Sequence, residues 1–304
     1  MTTTKPKISI FIPTYNDRTD LSACLGSIND LDYPRENIEI AIWDNNSEDD
    51  TVHMVQECYD QMKNDGWLNL SLTEWNRNEG TYVPYNLAVP NLSPETEYIL
   101  GLDADVELAS DLLTRLVSAV QEENVAVVGA RSVYFDDPEL TSHGAGFVNR
   151  LTALYGESDT RDRIECDYVI GCCVLLNRKI FVELGGFDAD YYISHWEVDY
   201  CLRAKEKGFR IIYEPEAVAK HKIPLKATPT TKRIYYLFRN KLLMIRKNPT
   251  LFKVPWTIPM CFGFSLTRIF FSLVWSMPWP NSKSALAGLR DGLLDKRGKR
   301  ENLL

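Results

Sequence analysis

The sequence lacks the motifs of the commonest phosphate-binding, dinucleotide-binding and zinc-binding sites. It contains neither a GxxxxGKS loop nor a GxGxxG turn after its first apolar run, which disfavours a P-loop protein and a dinucleotide-binding fold. It has no CxxC pair, and its seven scattered cysteines, an odd number, predict no disulfide framework. The opening segment, MTTTKPKISIFIP, has no long apolar run or small-residue cleavage site. We therefore expect no secretory signal and a reducing, cytoplasmic environment.

Acidic residues are scarce in the last part of the sequence. Residues 219–304 contain 3 aspartates and glutamates against 17 lysines and arginines, a balance of +14. Residues 1–218 contain 39 against 17, a balance of −22, so the net charge of −8 hides a sharp division. The acidic body is not typical of a nucleic-acid-binding protein. The basic tail is typical of a segment that meets an anionic surface.

Apolar runs alternate with helical patterns along the first half of the 304 residues. Strands are predicted near residues 8–12, 38–44 and 98–102, and helices near residues 49–63 and 110–122. This alternation predicts an α/β fold with a largely parallel sheet. The length allows one large domain and an appendage.

Polar clusters follow three of the predicted strands, at residues 13–16, 44–47 and 103–105. In open α/β sheets, ligands bind beyond the carboxyl ends of the strands. A single acidic strand end is typical of a solvated turn, but three polar ends along one edge of a sheet indicate a binding site.

The stretch YILGLDADVE places Asp103 and Asp105 directly after a buried strand. Two carboxylates spaced i, i+2 at a strand end can face one pocket, and oxygen ligands favour hard divalent ions such as Mg²⁺ or Mn²⁺. A diphosphate leaving group needs such an ion, because the ion neutralises the charge that develops as the bond to the sugar breaks. Without a glycine-rich phosphate cradle, the metal ion is expected to carry much of this role.

Five segments resemble, in order and spacing, the family 2 glycosyltransferases with the GT-A fold, in particular rhamnosyltransferase-like members. They are ISIFIPTYN, WDNNSEDDT, LDADVE, GGFD and WEVDYCLRAKEKGF, and the resemblance spans roughly residues 7–247. It implies an α/β sandwich with a central, mostly parallel sheet. It also implies an inverting transfer of a hexosyl group from a nucleotide-diphospho sugar, UDP-sugars being favoured, with Mn²⁺ or Mg²⁺ as the metal ion.

The resemblance assigns a nucleotide site to the first half of the chain. Asp44 matches the acid that bonds the edge of the base, although an Asx turn with Asn45 and Asn46 is the alternative interpretation. The full set of implied nucleotide-binding residues is Pro13, Thr14, Tyr15, Asn16, Asp44, Asn78, Gly80, Asp103 and Ala104. Asp105 matches the direct metal ligand, with Asp103 nearer the ribose. His221 matches a third ligand, and a structural histidine is the alternative.

The acceptor side of the resemblance rests on His195-Trp196-Glu197-Val198-Asp199. An inverting transfer needs one base that takes the proton of the acceptor hydroxyl. Glu197 matches this base, and Asp199 is its support or the second candidate. The alternative is that both are helix N-terminal acids favoured by the helix dipole. The implied substrate-side residues are Trp196, which stacks on a sugar or is simply core, Gly171 and His143.

The basic tail is predicted to associate with a membrane surface. Residues 233–247 have the pattern of an amphipathic basic helix. Residues 254–280 are long enough to span a bilayer, but Arg268 and four prolines interrupt them and favour helices that lie in the interface. A packed helical extension or an oligomer contact is the alternative. A lipid-linked acceptor, such as a polyprenyl-linked glycan, at the cytoplasmic face of the cell membrane follows from this interpretation.

The predicted division is a catalytic domain at residues 1–225 and a tail at residues 226–304. Within the domain, residues 1–108 are expected to bind the donor and residues 109–225 the acceptor. Two other functions fit parts of the pattern. A nucleotidyltransferase shares the sheet and the acidic metal site, and a noncatalytic glycan- or membrane-binding scaffold could have kept the fold.

Overall fold

The computed structural model describes residues 5–225, 229–275 and 279–300. The helices are α1 Arg18–Asn29, α2 Thr51–Asn64, α3 Val83–Ala88, α4 Leu112–Val120, α5 Arg178–Glu183, α6 Trp196–Glu206, α7 Thr231–Lys247, α8 Val254–Trp275 and α9 Trp279–Leu293. The strands are β1 Ile8–Thr14, β2 Ile38–Asp44, β3 Leu70–Glu74, β4 Tyr98–Leu102, β5 Val106–Leu108, β6 Val125–Tyr134, β7 Thr141–His143, β8 Ala145–Val148, β9 Tyr155–Ser158, β10 Ile164–Glu165, β11 Cys173–Asn177 and β12 Arg210–His221.

The central sheet has the order β10-β12-β6-β11-β4-β1-β2-β3. β3, β2, β1 and β4 are parallel neighbours, and β6 and β12 are also parallel. β11 lies antiparallel between β4 and β6 and joins the two halves into one sheet. The predicted α/β fold with a mostly parallel sheet is therefore confirmed.

Helices cover both faces of this sheet. Strand β1 is apolar almost without interruption because both of its faces are buried. Ile8, Ile10 and Ile12 pack on the face covered by α1, α2 and α4, whereas Phe11 packs on the opposite face with Tyr85. Parallel strands that are buried on both faces are expected to be continuously apolar rather than alternating. The chain order reverses between β1 and β4, and the carboxyl ends of these strands form the edge where a ligand is expected.

The basic tail folds back onto the acidic body. The apolar side of α7 is buried in the same core as the sheet, with Ile234, Leu242 and Leu243 each at most 4% exposed. α9 packs closely on α7 because Gly288 and Gly292 have no side chain. A Cβ atom at Gly288 would lie 2.4 Å from the carbonyl oxygen of Tyr235.

The predicted amphipathic helix therefore exists, but its apolar side is covered by protein and is not available to a membrane surface. The division into a domain at residues 1–225 and a tail at residues 226–304 stays a prediction.

α8 buries small side chains and exposes large aromatic ones. Thr257, Cys261 and Ser265 are buried, whereas Trp256 and Phe264 are 69% and 47% exposed. Arg268 and the other side chains of residues 268–281 lie outside the described side chains. Among the described residues, none of the helices combines the length and the apolar character that crossing a membrane requires.

Candidate active site

A cleft of about 460 Å³ opens at the carboxyl ends of β1, β2 and β4. Fourteen residues line it: Pro13, Thr14, Tyr15, Asp17, Asn45, Asn78, Gly80, Thr81, Asp103, Ala104, Asp105, Tyr192, Ile193 and Lys232. All three polar strand ends recognised in the sequence contribute to this set. The cleft also receives residues from the loop before α6 and from the first turn of α7.

Eight of the lining residues were predicted from the sequence: Pro13, Thr14, Tyr15, Asn78, Gly80, Asp103, Ala104 and Asp105. Six were missed: Asp17, Asn45, Thr81, Tyr192, Ile193 and Lys232. Asn45 lies inside the polar cluster at residues 44–47 but was assigned only to a possible turn, whereas Asp17 and Thr81 directly follow predicted segments, which wider bounds would have included. Tyr192 and Lys232 carry no local signal, because long-range packing alone brings them to the cleft.

Asn16 and Asp44 have structural roles at the strand ends. The Asp44 carboxylate, 2% exposed, accepts a hydrogen bond from the Ser47 backbone N–H at 2.9 Å and another from the Ser47 hydroxyl. This is the Asx-type turn that the sequence left open as the alternative. Asn16 has a left-handed backbone, with φ 57°, and its side-chain oxygen accepts from the Glu48 N–H at 2.8 Å. Neither residue lines the cleft, so their contact with a base stays a prediction.

The turn around Gly80 fits closely against the loop before α6. Asn78 Oδ1 accepts a hydrogen bond from the Gly80 N–H at 2.9 Å, and Gly80 has φ 82°. A Cβ atom at Gly80 would lie 3.0 Å from the carbonyl oxygen of Tyr192. Both the positive φ and the close approach require glycine here. Asn45 donates to the Gly80 carbonyl at 3.3 Å, so this turn is tied to the end of β2.

Asp103, Asp105 and His221 form a cluster that can hold a metal ion. One ligand atom from each of the three residues lies within 4.8 Å of the others. His221 reaches the cluster because β12 shifts register after Glu214 and then pairs with β5, which places His221 opposite Val106. Its Nε2 lies 3.3 Å from Asp105 Oδ1. Two carboxylates and an imidazole suit a divalent cation such as Mn²⁺ or Mg²⁺.

The electrostatics of this cluster also favour a cation. Burial, reinforced by the charge of Asp105, raises the pKa of Asp103 to about 7. Burial acts to raise the pKa of Asp105 as well, but the hydrogen bond and charge of His221 outweigh it and hold that pKa low. Burial acts to lower the pKa of His221, and its bonds to Asp105 and Cys172 raise it instead. Without a metal ion, protons on Asp103 and His221 offset the negative charge of the two carboxylates. A bound divalent cation would take over this role.

Glu197 and Asp199 lie in the first turn of α6 but in different environments. Asp199 is fully buried, and both of its oxygens are bonded, by the Tyr191 hydroxyl at 2.9 Å and by Arg203 Nε at 2.8 Å. Glu197 Oε2 is buried and has no hydrogen-bond partner among the described residues. Burial, and then the charge of Asp103, raise the pKa of Glu197 to about 7. Glu197 can therefore take a proton, whereas both oxygens of Asp199 are already bonded. Neither residue lines the cleft, so their catalytic roles stay predictions.

Trp196 belongs to the core. It is 7% exposed, and its ring packs on Phe187 with a centroid distance of 4.6 Å and on Tyr85 at 6.3 Å. Gly171 lies against the same ring, because a Cβ atom at Gly171 would be 2.3 Å from a ring carbon of Trp196. The core interpretation of Trp196 therefore describes the structure. This contact accounts for the small size of Gly171. Neither residue lines the cleft, so their contact with a sugar stays a prediction.

We expect Gly171→Ala to destabilise the protein by about 1–3 kcal/mol, because the added methyl group overpacks a core around Trp196. Denaturant unfolding should show a lower midpoint with an unchanged slope. Gly156→Ala is the matched control, since a Cβ atom there meets no atom within 4 Å. Equal midpoints for the two variants would contradict the packing described here.

His143 lies beside the metal-binding cluster without joining it. Its ring centroid is 6.2 Å from that of His221, and its Nδ1 is 3.4 Å from Glu157 Oε2. His143 is half-buried and does not line the cleft. Its contact with the donor sugar therefore stays a prediction.

The loop before α6 has three residues with left-handed backbones, Tyr192, Ser194 and His195, at φ 59°, 61° and 70°. Such conformations cost about 1–3 kcal/mol each and persist only where the surrounding structure holds them. α7 provides this support. The side-chain amide of the fully buried Asn240 donates to the carbonyls of Tyr191, Ile193 and Ser194 at 3.0, 2.6 and 2.9 Å. Arg239 donates to the carbonyls of Asp190 and Tyr191 at 2.9 and 3.0 Å.

Comparison with known proteins identifies the class of this fold and site. The model of the family described as glycosyl transferase family 2 matches residues 9–185, more than half of the chain. The chain therefore belongs to family 2 of the glycosyltransferases, and it is a glycosyltransferase.

Two curated relatives and one solved structure illustrate the relationship. Glycosyltransferase AglE of Haloferax volcanii is 24% identical over 224 residues, which cover 73% of this chain and 68% of that protein. A Methanococcus voltae enzyme is 25% identical over 285 residues, which cover 86% of this chain and 80% of that protein. Its name is dolichyl N-acetyl-alpha-D-glucosaminyl phosphate 3-beta-D-2,3-diacetamido-2,3-dideoxy-beta-D-glucuronosyltransferase. The mannosyltransferase PcManGT of Pyrobaculum calidifontis, solved with GDP-Man and Mn²⁺, is 18% identical. It has a TM-score of 0.66 and covers 97% of this chain and 89% of its own. It supports the GT-A fold.

Proposed function

We propose that this glycosyltransferase is an inverting, metal-dependent enzyme that uses a nucleotide-diphospho sugar, with a UDP-sugar favoured. The observation that carries the proposal is the cluster of Asp103, Asp105 and His221, which lies at the carboxyl ends of the strands and adjoins the donor cleft. PcManGT, with the same fold, was solved with a nucleotide-diphospho sugar and Mn²⁺. The proposal is independent of which sugar is transferred.

The donor would bind along the polar strand ends. Tyr15 is 40% exposed and lines the cleft, so a base can stack on its ring. The turn of Asn78 and Gly80 also lines the cleft and would lie beside the ribose. Asp103, Asp105 and His221 would hold the metal ion. When bound, this ion would neutralise the charge of the departing diphosphate.

On the acceptor side, Glu197 would accept the proton of the attacking hydroxyl. The new bond from the acceptor oxygen to the anomeric carbon forms as the bond to the diphosphate oxygen breaks. The leaving diphosphate retains the electron pair, and the configuration at the anomeric carbon inverts. A pKa of about 7 suits a general base at neutral pH. Asp199 would keep α6 in place through its bonds to Tyr191 and Arg203.

The acceptor is proposed to be a glycan or a polyprenyl-linked glycan. The name of the Methanococcus voltae relative includes a dolichyl-linked substrate. The exposed apolar side of α8, with Trp256 and Phe264, suits contact with the surface of a membrane. We propose that the protein acts as a peripheral enzyme at the cytoplasmic face of the cell membrane.

Thermal stability in the presence of nucleotides tests the donor and metal assignments together. UDP, GDP, dTDP and CMP would each be added with and without Mn²⁺. A ligand at 100 times its Kd stabilises the folded state by about 2.7 kcal/mol, so one nucleotide should raise the Tm, and only with the metal ion. Asp105→Asn should abolish this shift, and the exposed Asp136→Asn should keep it. A wild-type Tm that no nucleotide changes under any metal ion would remove the basis of the proposal.

A further inference from the structure

Two lysines of the basic tail lie at the rim of the donor cleft. Lys232, in the first turn of α7, lines the cleft itself. Lys299 comes from the segment after α9 and donates to the Asn78 carbonyl at 3.3 Å. This segment is held against the loop before α6, because the Gly298 N–H donates to the Asp190 carbonyl at 2.8 Å. The tail therefore places one lysine in the lining of the cleft and a second beside Asn78 at its edge.

Tyr192 connects the two lysines. The Nζ atoms of Lys232 and Lys299 lie 5.0 and 5.6 Å from the centroid of its ring. Lys232 Nζ is also 3.4 Å from the Tyr192 hydroxyl. Cation–π contacts of this kind hold ammonium groups in place without neutralising them. Asn240 bonds the carbonyls of Tyr191 and Ile193 on either side of Tyr192, and the Tyr192 ring packs on Tyr236 at a centroid distance of 5.4 Å, so one packed ring contacts both charges.

The charge of the cleft explains what these lysines can bind. Among the residues that line the described cleft, Asp17, Asp103 and Asp105 are acidic, and Lys232 is the one basic residue. The chain has no glycine-rich phosphate loop. An anion that enters the cleft therefore meets positive charge in two places, at the proposed metal site and at the lysine rim. An elongated dianion can contact both.

We propose that Lys232 and Lys299, held by Tyr192, form a second phosphate-binding site that contacts the diphosphate of the donor on the side opposite the metal ion. The inference rests on the proposed use of a nucleotide-diphospho sugar. It gives the basic tail a function inside the donor site. A phosphate group of a lipid-linked acceptor has the same chemistry, and the test below distinguishes the two sources.

The test measures binding by calorimetry with Mn²⁺ present. The ligands are the nucleoside diphosphate that stabilises the wild type and the corresponding nucleoside, which lacks phosphate. A charge-assisted hydrogen bond to phosphate is strong enough that Lys232→Met should weaken diphosphate binding by about tenfold, and Lys232→Met with Lys299→Met by more. Affinity for the nucleoside should stay within about twofold, because no phosphate contact is lost. Lys232→Arg should restore part of the affinity, and the exposed Lys179→Met is the matched control.

Three results would overturn the inference. Unchanged diphosphate affinity in the double variant excludes the donor contact. Equal losses for the diphosphate and the nucleoside indicate a distorted cleft rather than a phosphate site. If the double variant keeps its diphosphate affinity but binds undecaprenyl phosphate in detergent micelles more weakly than the wild type does, the lysines contact the acceptor instead of the donor. If the wild type itself binds no nucleotide, the proposed function fails first, and this outcome is distinct from the other three.

Discussion

Glu197→Gln is expected to lower kcat by about 10²–10⁴-fold, the usual contribution of a general base. Glutamine keeps the size and the hydrogen-bonding atoms of the side chain but cannot take a proton. The affinity for the nucleotide donor and the unfolding midpoint should stay close to those of the wild type. Steady-state kinetics and donor binding would be compared with Glu206→Gln, an exposed residue near the end of the same helix. A variant with more than a tenth of the wild-type kcat would exclude Glu197 as the base.

The pH dependence of the reaction provides a second test of Glu197. Burial and the charge of Asp103 raise the pKa of this carboxyl to about 7, against the lowering effects of a backbone hydrogen bond and of Arg233. Below its pKa the carboxyl is protonated and cannot accept a proton, so kcat/KM should fall about tenfold for each pH unit below that pKa. The profile should be measured at a saturating concentration of Mn²⁺, so that the metal ligands do not titrate. In Arg233→Met, the fall should begin at a higher pH, because the cation that lowers the pKa is gone.

Asn240→Ala is expected to destabilise the protein by about 3 kcal/mol, because three carbonyls lose their donor in a buried environment. The same change should lower kcat/KM, since the loop that Asn240 supports carries Tyr192 of the cleft and leads into the turn that holds Glu197. Denaturant unfolding gives the first quantity and steady-state kinetics the second. Asn91→Ala is the control, because Asn91 is exposed and bonds a single carbonyl at 3.1 Å. Its stability should change by less than about 0.5 kcal/mol.

If Asn240→Ala matched Asn91→Ala in stability, the left-handed loop would have another source of support. If stability fell but kcat/KM did not, the loop would be a structural element without influence on the site. Asn240→Asp extends the test. It keeps the shape of the side chain but turns negative oxygens toward three carbonyls, so it should be at least as harmful as alanine.

Local patterns in the sequence predict much of the fold. The apolar runs around residues 8–12 and 98–102 form β1 and β4, and the acids after the second run meet in one cleft, as the alternation of strands and helices requires. His221 was found through the resemblance, and the pairing of β12 with β5 explains its position. These features depend on short segments and on the general rule for parallel sheets.

The remaining features depend on contacts between distant segments. No periodicity distinguishes a basic helix that lies on a membrane from α7, whose apolar side is covered by its own chain. Lys232 belongs to the segment that the sequence analysis assigns to the tail. The structure places it in the lining of the cleft, a position that no local pattern predicts. Asp44 shows another difficulty, because an acid that bonds a base and an acid that closes an Asx turn have the same sequence pattern. The hydrogen bond from Ser47 to Asp44 shows that the turn exists, and the contact of Asp44 with a base stays a prediction.

The sheet order has a consequence for the synthesis of the protein on the ribosome. β1, β2 and β4 emerge early and can pair with one another, but β12, which carries His221, emerges after two-thirds of the chain. α7 and the segment with Lys299 follow later still. Because contacts distant in sequence form slowly and domains often fold as they emerge, a nascent chain can pair β1, β2 and β4 before His221 can complete the proposed metal site. The complete site is therefore one of the last parts of the molecule to form.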